Sequence, residues 1–456
     1  MSEETKAQRG QFFTVNSRVQ RVMLALIRTE KTGKVLEPSS GEGHLVVSLE
    51  NAGYTDITSV EFDPDLPAIS NTQPVRASFF DFAATRDIDY SCIFGNPPYV
   101  AWKSLEKEQL ENPNLLAIKK DYSDKANLYY LFMDKCIDVL TSDGEIIFIV
   151  PKEWLYTSSA APLRQKMLTT GSITHIVDCG EEKLFPDADV PAIVILRFQK
   201  GLNSRKTSYA TSLDNAVEEK WESRMIEETG DRLIFLDSTT AALIEGWGVL
   251  DDYLSVKVGI VSGADPLFRV DDPSLYEKEG LVQYLTTKGM EWFIDVNHVS
   301  SEEALPSKIK AFLLSHKQRL ITRRISKFDE NNWWKYGAIR NREAMISDAA
   351  RFYTLVKTRS AAPFFAAPDA VFYSGGVMGV FVKDELPENV TVEDVVTLLN
   401  SDFYRNLFIS MQLTTGNKLS LQPSTLATLP FPKTAEQCQK VMQITENSDK
   451  NMGKTL

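Results

Sequence analysis

Short apolar runs alternate with turns rich in Gly, Pro and acidic residues through the first half of the chain. Residues 17–29 carry Val19, Val22, Met23, Leu26 and Ile27 at helical spacing, with Asn16 or Ser17 placed to cap the first turn. A short strand, 35–37, runs into a Gly-x-Gly loop and then a helix over 45–52. Further strands are predicted at 57–62, 74–77 and 90–94. The last ends against Asn96-Pro97-Pro98-Tyr99, where two successive prolines bar both helix and ladder and turn the backbone out of the sheet. The polar stretch 102–124 reads as a mobile loop over the site. A helix over 125–140, a turn at Asp143-Gly144 and a strand at 145–150 follow. Strands at 173–178 and 192–198 read as a hairpin whose loop presents Phe185. The charged stretch 201–230 suggests a boundary, with a first domain over 1–240 and a second over 241–456.

Four strands thus end in polar, glycine-bearing or acidic turns at one edge of a sheet, and in open α/β sheets that edge binds ligands. The loop Glu37-Pro38-Ser39-Ser40-Gly41-Glu42-Gly43 lets a nucleoside-containing cofactor approach the backbone. Glu61, at the end of the second strand, is placed to accept from both ribose hydroxyls. Asp81 is expected to accept from the amino group of an adenine, with Phe82 or Phe62 on the face of that ring. Gly10 and Thr14 precede the first helix on a turn that suits a carboxylate.

The cluster after the fourth strand suits transfer to a planar amine. An aromatic amine is a poor nucleophile because its lone pair is delocalised into the ring. The Asn96 side-chain oxygen and the Pro97 carbonyl are two acceptors that can draw its N–H bonds toward a tetrahedral shape, while Tyr99 stacks on the ring. Pro98 stiffens the turn, and Phe185 either faces a base opposite Tyr99 or is an ordinary buried aromatic. None of this needs a metal.

Composition narrows the class further. The 456 residues suffice for two or three domains, with 43% hydrophobic and 25% charged residues as in ordinary globular proteins. Cys92, Cys136, Cys179 and Cys438 form no Cys-x-x-Cys pair, and the four histidines show no metal-ligand spacing, which favours a reducing cytoplasm and no metal. The polar N-terminus lacks the apolar core of a signal peptide, and no apolar run is long enough for a membrane span. A net charge of −12 excludes a uniformly basic nucleic-acid coat. It leaves room for a local footprint, because residues 301–360 hold thirteen Lys/Arg against six Asp/Glu, interleaved with Phe328, Trp333, Trp334 and Tyr336.

These stretches together resemble the N6-adenine DNA methyltransferases of restriction–modification systems in their gamma arrangement, in which cofactor motifs come first, the catalytic motif next and target recognition last. The resemblance covers nearly the whole chain. Residues 10–14 look like the motif that contacts the methionine part of S-adenosyl-L-methionine, although Val15 stands where the family usually has Pro. Glu37 to Gly43 are similar to the Gly-rich motif, Glu61 to the ribose-binding acid, Asp81-Phe82 to the adenine-binding pair and Asn96-Pro97-Pro98-Tyr99 to the catalytic motif. Phe185 and residues 192–199 look like the late motif whose aromatic packs on the extruded base. Residues 259–264, 399–401 and 429–432 are similar to segments of the recognition domain.

The resemblance implies a Rossmann-like, seven-stranded, mostly parallel α/β sheet followed by a mixed α+β target-recognition domain. It implies S-adenosyl-L-methionine as cofactor, double-stranded DNA as substrate, methyl transfer to N6 of a flipped adenine and a separate cognate restriction endonuclease as partner. Two other readings use the same residues: methylation of RNA adenine or protein glutamine, and a non-catalytic DNA-specificity protein.

Overall fold

The computed structural model describes residues 14–85, 89–180, 182–185, 192–325, 327–346, 351–415 and 418–452. Gly10 and the loop 186–191, both expected near the site, lie outside them. The chain divides into two compact units, Met1–Leu243 and Ile244–Leu456.

The first unit is built on one sheet. Its strands are β1 (Val35–Glu37), β2 (Ile57–Glu61), β3 (Val75–Arg76), β4 (Tyr90–Gly95), β5 (Leu140–Pro151), β6 (Gly171–Asp178), β7 (Ile193–Lys200), β8 (Lys206–Ala210), β9 (Glu222–Thr229) and β10 (Arg232–Leu236). They lie in the order β10-β9-β8-β6-β7-β5-β4-β1-β2-β3. Strands β1 to β5 pair in parallel, and β7 runs antiparallel between β5 and β6. The order reverses between β1 and β4, which opens a crevice at the C-terminal ends of those two strands.

The expected seven strands, β1 to β7, are therefore present, but among the described residues the sheet has ten. The stretch read as a domain boundary supplies β8 and most of the β8–β10 extension: β8 pairs with β6, and β9 pairs with β8 and β10. Its charged residues mark a sheet edge rather than a linker. Lys206, Glu222 and Ser223 are exposed, whereas Thr207, Tyr209, Ile226, Leu233 and Phe235 are buried.

Both faces of the sheet are covered, so the central strands read as unbroken apolar runs. Alternate residues serve opposite layers. Ile93, Ile146 and Phe148 join a core with helices α3 (Phe79–Thr85), α6 (Leu128–Asp138) and α7 (Ala161–Thr170). Phe94, Ile147 and Ile149 join the other, with α1 (Ser17–Leu26) and α2 (His44–Asn51). Asn16 caps α1 through the Arg18 and Val19 amides. The chain leaving α1 is tied to β5 by buried Glu145, which accepts from the Arg28 and Thr29 amides (2.7 Å each) and from Arg197 (2.6 Å). That anchorage sets α1, and with it Thr14, over the crevice.

The stretch 102–124, expected as a mobile loop, is ordered and partly core. It forms α4 (Lys107–Leu110) and α5 (Pro113–Lys119), and Leu105, Leu115 and Tyr122 are buried in the α3–α6 layer. Charged residues dilute these apolar contacts in the sequence, while the Asn112 cap followed by Pro113 at the first helical position marks a helix start.

The second unit mixes small sheets with helices. One antiparallel sheet joins Leu254–Val258, Val377–Val382, Arg351–Leu355 and Phe364–Phe365. Another joins Arg269–Val270, Gly289–Ile294, Leu281–Thr286 and Phe372–Tyr373. Trp333, Trp334 and Tyr336 are buried in its core, at 0, 1 and 7% exposure, which rules them out as stacking platforms for bases. Arg323 is buried beside them and donates to the carbonyls of Ser262, Leu320, Trp333 and Lys335. Basic residues in this stretch thus split between internal cross-links and exposed cations, among them Lys308, Arg319, Arg324, Lys327, Arg340 and Lys357.

All four cysteines are buried and free. Among the described residues no helix is long and apolar enough to cross a membrane, and no group of His, Cys, Asp or Glu is suited to hold a metal ion.

Candidate functional site

A cavity of about 180 Å³ opens at the C-terminal ends of β1, β2 and β4. Thr14, Glu37, Pro38, Ser39, Gly41, Glu61, Phe62, Asp81, Asn96 and Pro98 all line it. Residues separated by more than eighty positions are gathered there because the strands are parallel and the polar turns share one edge.

Each wall has an identifiable cause. Glu37 ends β1 with its carboxyl buried (1% exposed), and its Oε1 accepts from the Ser39 amide at 3.3 Å. Its Oε2 is buried without a hydrogen-bond partner. Gly95 makes room for it, since a Cβ at Gly95 would stand 2.6 Å from Glu37 Oε1. Glu61 braces the loop: Oε2 accepts from the Gly41 amide and Oε1 from the Asp63 amide, each at 2.8 Å. Asn96 lies across from these acids and donates from Nδ2 to Thr14 Oγ1 at 3.0 Å. The Ser39 hydroxyl donates to the Asn96 carbonyl at 3.2 Å, tying the Gly-rich loop to the Asn-Pro-Pro turn.

Several expected residues take other places. Gly43 caps α2 in the left-handed region (φ 91°), where a Cβ would meet Ser70 Oγ at 2.8 Å, so it shapes the loop without lining the cavity. Phe82 is turned into the core at 4% exposure, and Phe80 stands in the cavity wall with Phe62 instead. Along α3, Phe79, Phe80 and Asp81 all reach the cavity, and the next residue, Phe82, packs into the core.

Pro97 and Tyr99 are not among the lining residues. The Tyr99 hydroxyl donates to the Ile149 carbonyl at 2.8 Å, and burial holds its pKa well above the ordinary phenol value. Phe185 is buried at 4%, packed with Leu184 in the α1–α2 layer, and meets Tyr99 edge-on with centroids 6.3 Å apart at 74°. Of the two readings of Phe185, the structure shows the buried aromatic, packed in the core and edge-on to Tyr99.

Other lining residues were not foreseen. Phe80, Asn112, Leu115, Leu128 and Phe132 come from α3, the α5 start and α6. The Asn112-Pro113 capping signature was the signal that would have placed a helix there.

The acids give the cavity a marked character. Burial, opposed by the Ser39 amide and reinforced by Glu61, raises the Glu37 pKa well above the carboxylate range; burial likewise raises that of Glu61. A carboxyl that holds its proton in the fold contributes nothing below its unfolded pKa of about 4.3 and destabilises progressively as pH rises toward the folded value. The melting temperature of Glu37→Gln should therefore exceed that of the unmodified protein by a margin that widens as pH rises above the unfolded carboxylate value. Thermal melts at several pH values check this, and a constant margin would contradict it.

Fold and cavity together define a doubly wound α/β domain with a crevice at its topological switch point, where sheets of this kind bind ligands. Residues 50–185 match the model of the Eco57I restriction-modification methylase family. The type II methyltransferase M.HindII of Haemophilus influenzae is 26% identical, over 94% of this chain and 90% of its own length. M.HincII of Haemophilus influenzae is 36% identical but aligns with 44% of this chain, and the match spans 39% of that protein. The solved structure of the Type IIL restriction-modification enzyme MmeI in complex with DNA superposes on 94% of this chain and 64% of its own, with a TM-score of 0.56 at 12% identity, a likeness of fold. The cofactor of this class of methylases is S-adenosyl-L-methionine, and an acidic, aromatic-walled cavity fits a cationic nucleoside.

Proposed function

We propose that this protein methylates N6 of adenine within a specific sequence of double-stranded DNA. The observation that carries the reading is Asn96, delivered by β4 into the same cavity as Gly41 and Glu61 and fixed there by Thr14. S-adenosyl-L-methionine supplies an electrophilic methyl group on sulfur. Asn96 Oδ1 and the Pro97 carbonyl accept from the two N–H bonds of the amine. Those bonds strengthen as positive charge grows on the nitrogen, so the acceptors favour the transition state over the bound base. The amine forms the N–C bond, the C–S electrons remain on sulfur, and the surplus amine proton passes to water. Tyr99, held by Ile149, sets the turn and offers its remaining ring surface to the base. The adenine must leave the duplex, because its N6 is otherwise out of reach.

In this reading residues 1–243 are the catalytic domain and 244–456 read the DNA. The exposed cations Arg324, Lys327 and Arg340 are better suited to phosphate contact than the buried tryptophans. A restriction endonuclease on a separate chain is the implied partner, and the cytoplasm, where genomic DNA lies, the implied location.

Incubation with methyl-labelled cofactor and DNA, RNA or protein tests the substrate, and single-molecule sequencing of DNA from expressing cells identifies base and context. N6-methyladenine in one recurring sequence is expected. Label confined to RNA or protein would replace the DNA reading, and no turnover on unmodified DNA would favour a non-catalytic specificity protein.

A further inference from the structure

Asp81 does not stand alone in the cavity wall. Asn112 Nδ2 donates to both of its oxygens at 2.9 Å, and Asn114 Nδ2 donates to Oδ1 at 2.8 Å. The Asn112 amide is fixed at its other end too, because Oδ1 accepts from the Asn114 and Leu115 backbone amides at 3.0 and 2.9 Å and so caps α5. Its orientation is thereby set: oxygen to the helix, nitrogen to the carboxylate. Asp81 and Asn112 both line the cavity.

From this geometry we infer that Asn112 and Asn114 are positioning residues that make the cavity selective for a 6-amino purine. The inference rests on the S-adenosyl-L-methionine reading. Asp81 receives two neutral amide donors, and no ion pair to it is found among the described residues. An ionised carboxylate has about four acceptor sites. Three are filled by the amides, and the one left on Oδ2 is open to a donor from the ligand. The 6-amino group of adenine is such a donor. A 6-oxo purine presents an acceptor to an acceptor, which leaves the carboxylate facing a carbonyl. The two asparagines keep the carboxylate from swivelling to relieve that clash. The stretch 106–115, which supplies Glu106, Glu108 and Gln109 to the same wall, is thus part of the cofactor's specificity and not only its cover.

The test compares binding of S-adenosyl-L-homocysteine and S-inosyl-L-homocysteine by calorimetry, with steady-state kinetics alongside. Asn112→Ser retains a capping oxygen but removes the amide donor, and Asn114→Ala removes only a donor. The unmodified protein should prefer the adenosyl ligand by about 10- to 100-fold, the value of one hydrogen bond to a charged group. Each variant should cut that preference by at least about threefold and raise KM for the cofactor while leaving kcat unchanged. A merely structural cap would weaken both ligands equally, and an unchanged preference, or a fall in kcat at constant KM, overturns the inference while the cofactor reading stands. Failure of the unmodified protein to bind the adenosyl ligand overturns that reading, and this one with it.

Discussion

Asn96→Ala should lower the rate of methyl transfer by roughly 10³-fold or more while S-adenosyl-L-homocysteine still binds within about tenfold of the unmodified affinity. The size follows from what alanine removes. One of two acceptors aimed at the amine disappears, and the amine reverts to a planar, weakly nucleophilic nitrogen. The cofactor's acidic contacts remain, because Glu37, Glu61 and Asp81 are held by their own backbone and amide partners and not by Asn96. Asn96→Asp gives an internal control. Its oxygen still accepts, and the Thr14 hydroxyl, which now accepts from Nδ2 at 3.0 Å, can turn to donate instead. Activity should therefore lie well above that of the alanine variant. Single-turnover rates with labelled cofactor, read beside calorimetric affinities, separate the two effects. Alanine and aspartate variants of equal activity would show that the oxygen at this position does not act on the amine.

The parts of the site that the sequence reveals are those written into short, local signals. An apolar run stopped by Pro97-Pro98 states both that a strand ends and where, and β4 ends at Gly95 accordingly. Glu61 at the end of β2 and the glycine loop after β1 are local in the same sense. What escapes is whatever depends on the far side of a helix or on a layer assembled from distant segments. Phe82 and Phe80 are both phenylalanines beside Asp81, and only the rotation of α3 decides which faces the ligand. Phe185 looks available because it lies in a loop, and the Trp333–Trp334 pair because polar residues flank it, yet each large ring gains more from burial, at about 25 cal/mol per Å² of apolar area, than the polar residues around it cost by folding back to solvent. Strands β8 to β10 escape for a related reason. In β8 and β9 exposed and half-buried positions are mixed with buried ones, so their charges resemble those of a linker until the pairing partner is known; β10, buried from Leu233 to Leu236, is recognisable only once β9 is placed beside it.

The largest effect on the cofactor should come from Glu61→Ala. Glu61 is at once a wall of the cavity and the brace of the loop before α2, since its two oxygens hold the amides of Gly41 and Asp63. Each is a charge-assisted bond at a 7%-exposed carboxylate, and removing such a partner from a buried amide costs about 1–3 kcal/mol. Alanine leaves both amides without that partner, and it also removes the oxygens proposed to take the ribose hydroxyls. Affinity for S-adenosyl-L-homocysteine should fall by at least about 100-fold, and the melting temperature should fall with it, by several degrees or more. Glu61→Gln separates the two roles. The amide side chain keeps one accepting oxygen, so one loop amide stays satisfied, and its nitrogen cannot accept from a hydroxyl. Its melting temperature should sit between those of the other two proteins, whereas its affinity should remain close to that of alanine. Because burial keeps the Glu61 pKa raised, the contrast should grow with pH as the carboxylate ionises and becomes the stronger acceptor. If Glu61→Gln binds the cofactor as tightly as the unmodified protein at pH 8, the carboxylate holds the loop alone and the ribose lies elsewhere.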